Sequence, residues 1–114
     1  MELPRIISVD DHVLEPADLW TSRLPAKLRD AAPHVRREKG GFRTGAWDPN
    51  ANNWVVDPEM PGAVWSDVWY YDDMVWPLMR GLVDCGYTDE DPGTPVTYDR
   101  ALLGTYDPVA RIAD

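Results

Sequence analysis

Apolar and polar positions along this chain are organised in short runs, and few of them hold a helical period for long. Ile6, Ile7 and Val9, inside the stretch RIISVDDHVLE from Arg5 to Glu15, form a β-branched apolar run that predicts a buried strand. Pro16 to Arg23 carries Leu19 and Trp20 as apolar anchors, with Pro16 suited to the first position of a short helix. Pro25 opens a second short helical stretch, AKLRDAA, which Pro33 closes. His34 then stands in a polar, basic stretch, HVRREKGG, that reads as a solvated loop.

Two hairpins follow. Phe42 to Trp47 and Trp54 to Asp57 flank the turn-rich DPNANN, and Val68 to Tyr71 and Met74 to Trp76 flank Asp72 and Asp73. An amphipathic helix through Asp72 to Val83 competes with the second hairpin, and Pro77 argues against its uninterrupted form. Thr88 to Pro95 is a polar linker whose acids do not match an EF-hand loop. Near the end, Asp107 has N-cap chemistry and Pro108 fits the first helical position, so a helix is expected from Pro108 onward.

The first run ends in chemistry. Side chains alternate across a strand, so Asp10 and His12 point to one side and Asp11 to the other. A carboxylate and an imidazole so placed can reach one metal ion, and both are ordinary ligands for zinc, manganese or iron. A capping Asp and a surface His after a strand is the plainer reading of the same residues.

Composition narrows the function classes. The 114 residues carry 20 acids against 11 bases, a net charge of −9, with no basic stripe, which excludes a phosphate-backbone binder. No apolar run approaches the roughly 20 residues needed to span a bilayer, and MELPRIISVDDH lacks a signal pattern, so a cytoplasmic location is the default expectation. Cys85 is the only cysteine and reads as a small buried hydrophobe in LVDCGY. Eleven prolines and eight glycines leave little room for long helices or a continuous sheet. Six tryptophans and five tyrosines exceed what a small irregular domain easily buries. Trp65, Trp69, Tyr70 and Trp76 are therefore candidates to line an interface or contact a small-molecule substrate.

The continuation VDDHVLEPADLWTSRLPAKLRDAAPHV resembles the opening of the amidohydrolase-related family, the "amidohydrolase 2" branch of metal-dependent hydrolases that includes ACMSD-like decarboxylases. The resemblance resumes at VWYYDD and at TYDPVARIAD. It implies an α/β fold, the N-terminal portion of a (β/α)8 barrel. Residues 1–15 would be the first barrel strand with its metal motif, 16–104 a Trp- and Pro-rich cover segment, and 105–114 the start of the first barrel helix. By the same carry-over Asp10 and His12 are the metal ligands, with Glu15 of the EP dipeptide and Asp11 as auxiliary or supporting groups for a divalent transition metal.

A barrel of this kind needs about 250 residues. The resemblance therefore implies a larger amidohydrolase-like subunit that completes it, this chain being the small subunit of a split metal-dependent hydrolase or lyase. The alternative is a non-catalytic binding module that docks on such a subunit through its tryptophan-rich middle.

Overall fold

Backbone pairing between His34 and Pro77 builds a four-stranded antiparallel sheet in this computed structural model, which describes residues 13–46, 48, 52–83 and 93–113. The strands are β1 (His34–Phe42), β2 (Trp54–Val55), β3 (Val64–Tyr71) and β4 (Met74–Pro77), in the spatial order β2-β1-β3-β4. Around the sheet the described residues form four short helices: α1 (Leu19–Arg23), α2 (Ala26–Arg29), α3 (Arg80–Val83) and α4 (Pro108–Ala113). Two 3-10 turns, Tyr98–Arg100 and Leu103–Thr105, separate α3 from α4.

This architecture corrects the barrel expectation. Every ladder among the described residues pairs antiparallel, whereas barrel strands run parallel, each followed by a helix. The longest described helix has six residues. Two physical causes stand behind the difference: prolines such as Pro16, Pro25, Pro33 and Pro77 bound the helical stretches and keep them short, and tight turns can join only antiparallel neighbours. The expected first strand lies outside the described residues. No helix among the described residues is long and apolar enough to cross a membrane.

The HVRREKGG stretch is also corrected, from loop to the main body of β1. A charged run makes a strand here because β3 supplies a partner for each position in turn. Val35 stands opposite Trp69, Arg37 opposite Asp67, Glu38 opposite Ser66 and Lys39 opposite Trp65. Gly40 is required where β1 meets β2, since a Cβ there would lie 2.0 Å from the Val55 carbonyl oxygen. Phe42 and Trp54 then meet edge to face, with centroids 5.6 Å apart.

The second hairpin forms as its pattern predicts, with Asp72 taking the left-handed backbone (φ 52°) in the two-residue turn. Asn52 closes the outer edge of β4. Its amide donates to the Asp73 carbonyl at 2.8 Å and its oxygen accepts from the Val75 N–H at 3.2 Å, which occupies edge groups that would otherwise invite another strand. The expected C-terminal helix is present as α4, and the Asp107 carboxylate accepts from the N–H groups of Val109 (2.8 Å) and Ala110 (3.1 Å).

A core of Trp69, Leu78 and Val96 sits against one face of the sheet, with Leu14, Val35, Trp76, Tyr98 and Ala101 packed around it. Segment 94–98 is held there by backbone bonds, Val96 N–H to the Leu78 carbonyl (2.8 Å) and Asp67 N–H to the Val96 carbonyl (3.1 Å).

Candidate functional site: an aromatic groove beside a charged clamp

Alternation along β3 puts Trp65, Asp67, Trp69 and Tyr71 on a single face, and the cross-strand register adds Arg37 and Lys39 from β1 and Met74 and Trp76 from β4. The two halves of this face are built differently. Toward the start of β3 the charged groups Arg37 and Asp67 satisfy one another, beside an exposed Trp65. Toward its end the side chains are aromatic and partly uncovered.

The charged half centres on Asp67, which is buried. Arg37 grips it with two parallel bonds, Nε to Oδ1 at 2.9 Å and Nη2 to Oδ2 at 2.7 Å, a fork geometry that makes strong charge-assisted pairs. The Tyr98 backbone N–H donates to the same Oδ2 at 2.7 Å, and Arg37 Nη2 also reaches Asp99 at 2.7 Å. Hydrogen bonding to Asp67 holds the Arg37 guanidinium more firmly protonated than usual. Thr97, the backbone N–H of Asp99 itself and Arg37 keep the Asp99 carboxyl below its ordinary range. A cavity of about 700 Å³ lies alongside, lined by Lys39, Trp65, Arg80 and Arg100 among others. Its central arginine is already occupied by two carboxylates, so the arrangement is a clamp that fixes segment 94–100 across the sheet.

The aromatic half is a groove of about 340 Å³ lined by Glu15, Trp20, Pro33, Trp69, Tyr71, Met74 and Trp76. Trp69 faces Trp76 across the β3–β4 ladder, and Tyr71 faces Met74, giving a floor two residues wide and two deep. Trp20, from α1, and Pro33 form the wall. Exposure rises along the strand, from 8% at Trp69 to 51% at Tyr71, with Trp20 at 41%.

A relay fixes this floor to the wall. The Trp69 indole N–H donates to the Tyr98 hydroxyl at 3.1 Å, and that hydroxyl donates to the Glu15 carbonyl at 2.6 Å. Leu14 N–H donates to the Thr105 carbonyl at 2.7 Å. Burial, the largest influence, holds the Tyr98 phenol protonated well above its ordinary range. Glu15 thus lies at the groove rim with its backbone committed to the fold and its side chain exposed.

The opposite face of the sheet carries Tyr70. His34 stacks on it (centroids 5.8 Å apart), the Arg36 guanidinium lies 5.3 Å from its ring centroid, and its hydroxyl donates to Glu38. His34, at the head of β1, also places Nδ1 3.0 Å from the Ala32 carbonyl. Burial first, then Glu38, raises the Tyr70 phenol above its ordinary range.

Of the aromatics singled out from the sequence, Trp69 and Trp76 therefore meet in the groove. Trp65 lies on the same face but four residues along β3, about 13 Å away at strand spacing, and Tyr70 is on the other side. Tyr71 and Met74 are not among those singled out, and Trp20 reads in the sequence as an apolar anchor of its helix. The period-2 rule applied to VWYYDDMVW would have paired Tyr71, rather than Tyr70, with Trp69; Trp20 carries no sequence signal for this position. Asp10, Asp11, His12 and Cys85 lie outside the described residues. Among the described residues no group of three or more His, Cys, Asp or Glu comes together as a metal site. No protein family, curated protein or solved structure matches the chain.

Proposed function

We propose that this chain is a binding module that docks on a larger protein through the aromatic groove. One observation carries the reading: Trp69, Tyr71, Met74 and Trp76 form a continuous floor beside Trp20, and it is left partly uncovered while the neighbouring charged groups are internally paired. Uncovered aromatic surface on an ordered strand pair is the composition of interface anchors, since Trp and Tyr give large contact area at small entropic cost. The split-hydrolase reading, with the barrel corrected, rests on the Asp10 and His12 pair and on the sequence resemblance.

The test uses the larger chain that co-purifies with this protein after co-expression with its genomic neighbours. Trp20→Ala and Tyr71→Ala should each weaken that complex by about 2 kcal/mol, the scale of an interface hot spot, and leave the chain folded with a cooperative unfolding transition, since both side chains are about half exposed. Calorimetric titration measures the first and urea unfolding the second. Unchanged affinity in both variants would remove the groove from the interface.

A further inference from the structure

The geometry points to an arginine side chain of the partner as the occupant of the aromatic groove. This rests on the docking function proposed above and adds the chemistry of the anchor.

Two features of the lining and one of the whole chain select a cation over an aliphatic side chain. Four of its seven residues are aromatic, Trp20, Trp69, Tyr71 and Trp76, and none is a branched aliphatic. A purely apolar slot could be lined by Leu, Ile or Val; indole and phenol rings add faces of negative potential that attract a cation. Among the described residues the charged member of the lining is Glu15, an exposed acid at the rim. The chain as a whole carries a net charge of −9, which favours a positively charged partner segment at long range.

Arginine uses all of these at once. Its guanidinium is planar and stacks on indole or phenol faces, and its edge carries donors that match a carboxylate in a fork. Its methylene stem can lie along Met74 and Pro33 while the head remains at the rim. This chain already pairs the two chemistries internally, with Arg36 over the Tyr70 ring at 5.3 Å and Arg37 forked onto Asp67. The groove offers the same two kinds of partner, ring faces and a carboxylate. Its volume, about 340 Å³, is at the small end for ligand sites, which run from about 300 Å³ upward, and suits one long side chain.

The test compares acetyl-arginine amide with acetyl-citrulline amide, a neutral compound of nearly the same shape, titrated against the full chain and followed by tryptophan fluorescence and by the indole N–H resonances. The arginine compound should bind at least ten times more tightly than citrulline. Glu15→Gln should remove at least threefold of that preference and leave citrulline binding unchanged; this substitution keeps the backbone carbonyl that Tyr98 bonds, so the fold is retained. Raised salt should weaken the arginine compound alone. Equal binding of the two compounds, or tighter binding of citrulline, overturns the arginine assignment. So does an absence of binding by both. None of those results touches the docking reading, which stands or falls on whether Trp20→Ala and Tyr71→Ala weaken the complex with the larger chain.

Discussion

The two ends of one sheet face, less than a strand's length apart, handle their side chains in opposite ways. At the Arg37 end, charged groups close on one another: Asp67 is shared between Arg37 and the Tyr98 N–H, and Arg37 between Asp67 and Asp99. At the Tyr71 end, rings are set in order by the same Tyr98, through its hydroxyl, and then left partly uncovered. Charge that is paired internally serves the fold. Apolar surface that is ordered but uncovered is available to something else. Changes at the first end should therefore cost stability, and changes at the second should cost binding.

The largest expected effect on stability comes from Asp67→Ala. It strips the fork from Arg37 and leaves the Tyr98 N–H without its acceptor, a loss of about 2 to 3 kcal/mol. The full penalty for a stranded buried charge does not apply, because the Arg37 side chain is half exposed and water can solvate it. A urea midpoint equal to that of the wild type would break the distinction between the two ends.

Gly40→Ala comes next, at about 1 to 3 kcal/mol as for an overpacked site. The added methyl meets the Val55 carbonyl oxygen rather than a movable side chain tip, so β1 and β2 must separate. Loss of the Trp54 fluorescence environment without loss of the β3–β4 hairpin is the expected pattern; an unchanged melting temperature would argue against so close an approach.

Alkaline pH sharpens the comparison because Tyr98 belongs to both ends. Its phenol is held protonated above the ordinary value of 10.0 in the folded chain, as is that of Tyr70. A group raised on folding contributes stability that is present below its unfolded value and lost as pH rises beyond it. Unfolding in urea should therefore begin at lower denaturant at pH 11 than at pH 8, and Tyr98→Phe should lessen that slope. A midpoint that does not change between pH 8 and pH 11 would contradict the buried relay.

The smallest effect is at Asp99, which is exposed. Its lowered carboxyl contributes stability above the ordinary value of 3.8 that fades as pH falls below it. Asp99→Asn should change the pH 7 midpoint little and flatten the acid limb; a large loss at pH 7 would mean that the clamp depends on its outer member.

The sequence was legible where local chemistry decides the structure. Asp72 and Asp73 between two alternating runs specify a turn, and Asp107 before Pro108 specifies a helix start, because each acts on backbone groups within a few residues. It was misleading where the deciding partner is distant. Arg36, Arg37 and Lys39 read as a solvated run until β3 is placed beside them, since a strand's charges are paid for by neighbours some 30 residues away. Ser66 and Asp67 likewise hide the first half of β3, because their burial depends on the Val96 carbonyl and on Tyr98. The groove was half legible: the tryptophans were conspicuous, but their division between faces follows from register. Trp20 joins them only through the tertiary placement of α1.

Site-specific photo-crosslinking tests the central claim most directly. A crosslinking side chain is placed at Met74, in the groove floor, and in a second sample at Lys39, beside the clamp, and each is irradiated in cells. The account predicts a covalent adduct to a larger chain from the Met74 position, lost when Tyr71→Ala is added, and none from Lys39. Adducts from Lys39 and none from Met74 would place the interface on the wrong end of the sheet and contradict it.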